Sequence, residues 1–218
     1  MPTINKQVGA NADDGHWYGS GFSNSATVAY YGVNAGGVAT HNYYRWTDVT
    51  IPDGATITSA TVSCYDRGSG VGVILDGTKL YFHKSANPAA PTNATQANAL
   101  FNSLTTNYVV PVMSNGGSWF AHPDVSAIIQ ELVDTYSYAS GAAMMCIIQA
   151  VTGKASNCGA IYMRDYTCLL YTSDAAADLL CVDLGGRRII KKKKYLTVIQ
   201  RYSHSSHSST LCHFPTHY

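Results

Sequence analysis

The chain has 218 residues and a formal net charge of +1, and only 12% of its residues are charged. Residues 1–167 hold seven Lys and Arg against ten Asp and Glu, a net charge of −3, and the other seven basic residues all lie further on. Because no basic field covers residues 1–167, nucleic acid is not expected as a partner of this part. No apolar run is long enough to span a bilayer, and the N-terminal stretch lacks the apolar centre of a signal peptide.

The residues before position 168 are rich in Gly, Ala, Ser, Thr, Asn and Tyr, which is typical of an all-β domain with long polar loops. Strand-like runs at 27–31 and 41–51 are separated by a Gly-rich turn. The second run ends at Pro52-Asp53-Gly54, where proline fixes φ and glycine accepts a positive φ. A turn is therefore predicted between this run and the next.

The next predicted strand, 55–66, carries apolar residues spaced by three, then two, then two positions. This spacing predicts a bulge or bend near Ser59, before regular alternation begins. Two further runs, at 70–75 and 78–83, flank a turn at Asp76-Gly77.

Residues 84–102 have little periodicity and are predicted to form a long loop. The following run, 105–113, is predicted to be an irregular or edge strand, because Pro111 cannot donate a hydrogen bond to a central ladder.

One amphipathic helix is predicted near 124–137. Counted from Val125, its apolar residues fall at i, i+3, i+4, i+7 and i+8 and form one stripe, and Asp124 suits the first turn. The almost wholly apolar segment 142–151 then predicts a strand in the middle of a sandwich, and 160–167 begins one more strand.

Many short strands and one late helix predict an all-β fold, an antiparallel and jelly-roll-like sandwich of two sheets with the helix at an end or an edge. Cys64, Cys146 and Cys158 are widely spaced and have no CxxC or histidine partner pattern. We expect buried thiols rather than a disulfide framework or a zinc site, which fits synthesis in a cytoplasm.

From position 168 onward the sequence resembles translated sequencing adapter. Translation of the transposase mosaic-end sequence TGT-CTC-TTA-TAC-ACA-TCT would give residues 168–173. Translation of GTA-GAT-CTC-GGT-GGT-CGC-CGT-ATC-ATT, from the outer end of the same adapter, would give residues 182–190, and a run of adenines would give the four lysines that follow. We therefore expect a natural domain over 1–167, truncated before its closing strand, and a non-native tail over 168–218.

A functional interpretation of this tail is the alternative. Arg187, Arg188 and the four lysines could bind nucleic acid or a membrane. A metal cluster could be formed by His204, His207, Cys212, His213 and His217. If the tail is adapter, we expect it to be poorly packed, or to form a fortuitous strand in the vacant closing position.

Three segments carry a resemblance to known modules: RWTDVTIPDGATITSATVS, PDVSAIIQELVD and SGAAMMCII. Over residues 8–160 the chain resembles a broad family of β-sandwich modules from phage and prophage virion proteins and bacterial surface proteins, similar to carbohydrate-binding jelly rolls. The first motif is filled by Trp46, Val49, Ile51, Pro52, Gly54, Ala55, Ile57 and Ala60. The second is filled by Ile128, Ile129, Glu131, Ser140 and Gly141, with Ala142 where the family commonly has asparagine. These motifs specify a fold better than an activity.

Asp13 and Asp14 are candidate oxygen ligands for Ca²⁺, because carboxylates in a Gly-bearing loop suit a hard cation. This is the one cofactor that the sequence suggests. The segment lacks the spacing of an EF-hand, which favours a solvated polar loop with no cofactor.

Aromatic side chains are candidates for a sugar-stacking platform, because their faces pack against the C–H faces of pyranose rings. The candidate residues are Trp17, Tyr18, Tyr43 and Tyr44. Trp17 and Tyr18 are predicted to lie in a loop and to be exposed. Adjacent residues on a strand point to opposite faces, so at least half of the aromatic residues are expected to pack in the core.

No known catalytic motif is present, and the acidic residues fall mostly in turns or on the outer helix face, so an enzyme is not expected. The resemblance implies a structural or adhesion domain of a phage virion, of tail, fibre or capsid-decoration type. Such a domain would associate with itself or with other virion proteins in the host cytoplasm. The alternative is a carbohydrate-binding module of a bacterial surface or secreted protein that binds a cell-surface glycan. A hydrolase is the third hypothesis.

Overall fold

The structure, a computed structural model, describes residues 2–26, 28–33, 37–65, 77–112, 118–151, 161–164 and 169–174. Its strands are β1 (Thr3–Gln7), β2 (Asp14–Tyr18), β3 (Gly21–Ser23), β4 (Val28–Val33), β5 (Ala39–Ile51), β6 (Ile57–Tyr65), β7 (Lys79–Phe82), β8 (Trp119–Ala121), β9 (Tyr138–Gln149), β10 (Ile161–Arg164) and β11 (Leu169–Asp174). Its helices are α1 (Ala94–Ala99), which continues as a 3-10 turn (Leu100–Ser103), and α2 (Ser126–Thr135). Neither α-helix has the length and apolar character needed to cross a bilayer.

The chain divides into two compact units, Met1–Leu180 and Cys181–Tyr218. All the described residues belong to the first unit. The boundary of the natural domain at residue 167 stays a prediction.

Every pairing between the described strands is antiparallel. One sheet has four strands in the order β1-β11-β6-β8. The other has seven, with β10-β4-β5-β2-β3 along one path and β9 between β5 and β7. The predicted fold class is confirmed at this level, as a mostly β protein with antiparallel sheets.

The centre of the seven-stranded sheet is the pairing of β5 with β9. β9 is hydrogen-bonded on both edges, and its residues from 143 to 148 are buried. Successive residues point to opposite faces, so Cys146 and Ile148 enter one apolar cluster and Met145 and Ile147 enter another. The strand predicted from the apolar run at 142–151 is confirmed, and it begins earlier, at Tyr138.

The first of these clusters, the main core, takes residues from both sheets and from α2. Its members include Trp46, Val49 and Ile51 of β5, Ala60, Val62 and Cys64 of β6, Leu80 and Phe82 of β7, and Ile128, Ile129, Leu132 and Val133 of α2. α2 confirms the predicted helix and its apolar stripe, although it is two residues shorter at each end than 124–137.

A bulge in β5 explains the spacing of the first sequence motif. Trp46 pairs with Met144 and Val49 pairs with Ala142, so β5 has one residue more than β9 between these pairs. Among the described non-glycine residues, only Asp48 has a positive φ, of 54°. Aspartate tolerates this left-handed conformation better than most residues. The bulge lets Trp46 and Val49 both reach the main core although they are three positions apart.

β6 contains the bend that was predicted near Ser59. Residues 173 and 174 of β11 are adjacent, whereas their partners on β6, Ser59 and Ile57, are two positions apart. Side chains from the α2 region bind the β6 amides here. Asp124 Oδ1 accepts from the Ala60 N–H (2.9 Å) and Gln130 Oε1 accepts from the Ile57 N–H (2.7 Å).

The prediction of a structureless loop over 84–102 is wrong, because α1 lies within it. Asn93 caps this helix by accepting a hydrogen bond from the Gln96 N–H (3.0 Å), and Gln96 Oε1 accepts from the Thr92 N–H (2.9 Å). A helix of six residues is too short to show apolar periodicity. The usable signal was the Asn-x-x-Gln spacing, which is that of a capping box.

The irregular or edge strand predicted over 105–113 does not form in the described part of that run, where Val109 makes only an isolated bridge with Leu80, with backbone hydrogen bonds of 2.8 and 3.1 Å. The run at 78–83 contains β7. The strand predicted at 70–75 lies outside the described residues.

The prediction that the cysteines are all thiols is wrong for Cys64, which is disulfide-bonded. Cys146 is a free thiol, and complete burial raises its pKa well above the ordinary value. The spacing of cysteines along a sequence does not determine which of them meet in space, so this bond could not be read from the sequence.

The closing strand that was expected to be missing has an occupant. β11 lies between β1 and β6 and is built from residues of the segment that resembles adapter. This pairing does not distinguish a native closing strand from a fortuitous one, so the interpretation of the tail as adapter stays a prediction.

We expect Asp48→Val to lower the free energy of unfolding by about 1–2 kcal/mol, because a β-branched residue is strained at a positive φ. Asp48 is exposed, so this change buries no charge and opens no cavity. Chemical denaturation monitored by tryptophan fluorescence measures the difference. The matched control is Asp48→Gly, which should leave stability unchanged or raise it. Equal loss in both variants would contradict the account of the bulge.

Candidate functional site

The second apolar cluster lies on the face of the seven-stranded sheet opposite the main core. It contains Trp17, Tyr43, Ala97, Leu100, Met145 and Ile147. α1 and the 3-10 turn after it supply Ala97 and Leu100, so this face of the sheet is covered by the segment that was predicted to be a loop.

The prediction that Trp17 is exposed in a loop is wrong. Trp17 is a residue of β2 with 0% of its surface exposed, and its indole Nε1–H donates to Asn98 Oδ1 (3.0 Å). Its ring centroid lies 5.2 Å from that of His41 and 5.3 Å from that of Phe101. α1 and its 3-10 turn provide Asn98 and Phe101, which is why the ring is covered.

Tyr43 and Tyr44, the other predicted stacking residues on a strand, are also buried. Tyr43 belongs to the second cluster, donates its hydroxyl to the Ala12 carbonyl (3.0 Å) and stacks on Phe22 with nearly parallel rings. Tyr44 belongs to the main core. Both rings are buried in this structure, and their role as ligand-binding residues stays a prediction.

Of the four predicted aromatic residues, Tyr18 alone is exposed, with 46% of its surface accessible. It ends β2, and its ring lies over Gly21 of β3, where an added Cβ would come within 2.8 Å of the ring. His16, two residues earlier on the same face, lies nearly parallel to it with ring centroids 6.4 Å apart. Tyr18 therefore presents a flat ring held against backbone.

The predicted calcium ligands are buried. Asp13 ends a 3-10 turn (Asn11–Asp13), and Asp14 begins β2. Asp13 forms an ion pair with Arg45, whose Nε–H also donates to the Pro88 carbonyl (2.7 Å). Asp14 pairs with Tyr44 across β2 and β5. The prediction of a solvated loop is wrong for these two residues, and among the described residues no group of three His, Cys, Asp or Glu is placed to hold a metal ion.

Glu131 of α2 anchors the segment that follows the 3-10 turn. Its carboxylate accepts hydrogen bonds from the N–H groups of Thr106 (2.8 Å) and Asn107 (3.0 Å), and Lys84 Nζ lies 3.6 Å away. Burial acts to raise the pKa of Glu131, but these hydrogen bonds and the lysine lower it below the ordinary value. The carboxylate therefore fixes the backbone at residues 106–107.

His41 lies between the sheet and the α1 region. Its Nδ1 accepts the Ala150 N–H (3.1 Å), and its ring contacts Phe101 edge-on at 4.9 Å between centroids. Burial lowers the pKa of His41 to about 4. The ring is neutral at pH 7 and acts as a hydrogen-bond acceptor for the backbone.

An exposed surface that sequence reasoning missed lies beside β7, and we call it the Tyr108 surface. It consists of Lys79, Tyr81, Tyr108 and Val110. Tyr108 and Val110 are 46% and 57% exposed. Lys79 Nζ lies 4.0 Å from the centroid of the Tyr108 ring, and the Tyr81 ring lies 5.5 Å from it. The sequence pattern predicted that the run 105–113 is an irregular or edge strand. It did not indicate that Lys79 and Tyr108, which are far apart in sequence, would stack.

A second exposed aromatic pair lies on the edge strand β8. Trp119 is 47% exposed and contacts Tyr65 of β6 edge-on at 5.7 Å between centroids. The two residues are direct partners in the β6–β8 pairing.

No protein-family model matches the chain, and no curated protein is significantly similar to it. The resemblance to phage modules and the interpretation of the tail as adapter both stay predictions.

We expect the protein to lose stability as the pH falls from 7 towards 4, because His41 titrates near 6.5 when unfolded and near 4 when folded. The unfolded chain binds the extra proton, so the contribution is complete above pH 6.5 and declines below it. His41→Asn keeps an acceptor for the Ala150 N–H and removes the titration. Urea unfolding is measured at pH 7.5, 6 and 5. Between pH 7.5 and pH 5, the free energy of unfolding should fall by about 1–2 kcal/mol less in the variant than in the parent. Identical pH dependence in both proteins would rule out this role.

Proposed function

We propose that the chain is a non-catalytic structural or adhesion domain of the phage virion type, built as a jelly-roll-like sandwich of its two sheets. The shared main core supports the sandwich, because alternate residues of β5, β6, β7 and β9 enter one apolar cluster from both sheets. α2 packs its apolar stripe into the same cluster. The motif residues Trp46, Val49 and Ile51, on which the family resemblance rests, are all buried there.

The observation that carries the proposal is the Tyr108 surface. Tyr108 and Val110 are exposed, Tyr81 is half-buried, and Lys79 lies over the Tyr108 ring. Tyrosine is enriched at the centre of protein–protein interfaces. The backbone beneath them is fixed by the bridge from Val109 to Leu80 and by the hydrogen bonds to Glu131. A surface that is rigid before binding loses little entropy on association. The partner is a second copy of the chain or another virion protein, met during assembly in the host cytoplasm.

The placement of the acidic residues supports a role without catalysis. Asp13 neutralises Arg45, Asp124 binds the Ala60 amide of β6, and Glu131 holds residues 106–107. Each of these three carboxylates has a structural partner in the fold.

We expect the full chain to self-associate, and Val110→Lys to weaken that association at least tenfold, because a charge would replace an apolar contact. Sedimentation velocity over a concentration series measures the dissociation constant. The matched control is Val38→Lys, which charges another exposed valine just before β5. A monomer at every concentration would show that the chain does not self-associate. If the chain also fails to bind other virion proteins, the proposal is wrong.

A second candidate function, carbohydrate binding, rests on Tyr18. Its exposed ring is held flat over Gly21 beside His16, a geometry suited to stacking on the C–H face of a pyranose. In this alternative the chain is a module of a bacterial surface or secreted protein, and its ligand is a cell-surface glycan.

For this second candidate, Tyr18→Ala should abolish binding to any glycan that an array identifies, because most of the contact area is the ring itself. Gly21→Ala should weaken binding several-fold by displacing the ring. Tyr108→Ala is the matched control, since Tyr108 is equally exposed but lies outside this site. Glycan binding that survives Tyr18→Ala, or no binding to any glycan on the array, would exclude Tyr18 as a carbohydrate platform.

A further inference from the structure

Among the described residues, β11 alone closes the gap between β1 and β6. β1 and β6 do not pair with each other, because β11 lies between them in the order β1-β11-β6-β8. β11 pairs with residues 3–7 of β1 and with residues 57–63 of β6. Two facing strand edges that carry free N–H and C=O groups form a template for another strand. The gap therefore has the backbone features of a site that accepts a strand.

The two flanking strands determine which positions of an occupant should be apolar. Ala60 and Val62 are completely buried in the main core, and Ile4 packs against it. Position 170 is opposite Val62 and the half-buried Lys6, and position 172 is opposite Ala60 and Ile4. Directly opposed residues of an antiparallel pair share one face of the sheet. An occupant adapted to the gap needs apolar residues at 170 and 172.

The sequence of β11 meets this requirement only in part. Position 170 is leucine, but position 172 is threonine. Pairing along both edges uses main-chain groups that every sequence carries. The segment that contains β11 also resembles translated adapter in two separate stretches, so its presence in the gap does not require that it evolved there.

We propose that the gap between β1 and β6 is a strand-acceptor site whose native occupant is a different strand of this protein, encoded directly after Thr167. This strand carries apolar residues at both positions that face Ala60 and Val62. β10 ends at Arg164 and β11 begins at Leu169, so residues encoded after Thr167 are close enough along the chain to supply this strand. β11 replaces it through main-chain pairing.

Thr172→Val in the full chain tests the requirement at position 172. We expect roughly a tenfold rise in the folding equilibrium constant, because valine adds apolar surface opposite Ala60 and Ile4. The control is Ser173→Val, opposite Ser59 and the exposed Thr3. Valine favours strands much more than serine does, so the control substitution gains stability from strand propensity alone. A larger rise for Thr172→Val therefore cannot come from propensity. A rise for Thr172→Val no larger than that of the control would overturn the proposal.

Tyr171→Pro tests the acceptor site itself, because proline removes an N–H from the middle of β11. Hydrogen exchange should become at least tenfold faster at residues 3–7, while residues 144–148 of β9 keep their protection and show that the rest is folded. A synthetic hexapeptide with valines at the positions equivalent to 170 and 172 should restore protection. The same peptide with aspartates there should not. Failure of the valine peptide, or equal rescue by both, counts against the site.

The identity of the native occupant is tested by reading the source DNA again with adapters removed. The third and fifth codons after Thr167 should both encode apolar residues. A source gene that itself encodes CLLYTSD at this point would show that β11 is native and would overturn the proposal.

Discussion

The pairing of β5 with β9 is the constraint on which the other elements depend. Both strands are buried on both faces near their centres, at residues 42–44 of β5 and 143–148 of β9, so this part of the sheet needs an apolar cover on each side. On one side β6 and α2 complete the main core, and on the other α1 and the 3-10 turn cover Trp17 and Tyr43. A sheet with only one buried face would have left these rings in solvent. Trp17 and Tyr43 are therefore buried because α1 and the 3-10 turn form a further layer on this face of the sheet.

Periodicity predicted the elements that are long enough to show it. The apolar stripe of α2, the run that forms β9 and the bend near Ser59 were all readable, because each depends on local spacing. The burial of Trp17 could not be predicted, because a strand pattern shows which residues share a face of the sheet but not what covers that face. The cover is α1, whose six residues leave only a capping signal at Asn93 and Gln96. Exposure of Tyr18 agreed with expectation, although Tyr18 lies at a strand end and not in a loop.

Polar groups in this protein mostly maintain the fold. His41 is kept neutral by burial and receives a backbone N–H, Glu131 binds two consecutive amides, and Asp13 is paired with Arg45. These interactions fix the segments around the Tyr108 surface and the second cluster. They leave exposed rings on a rigid backbone as the groups best suited to recognition, which is why both candidate functions depend on tyrosine.

The distance along the chain between β1 and its partner also has a consequence for synthesis on the ribosome. Thr3 pairs with Ser173, so the first strand to emerge must wait for 170 further positions before its neighbour is made. Contacts that span so much sequence slow folding, and an edge that stays unpaired can associate with other chains in the meantime. The order of translation therefore leaves β1 as the part of the nascent protein with the longest need for protection by chaperones.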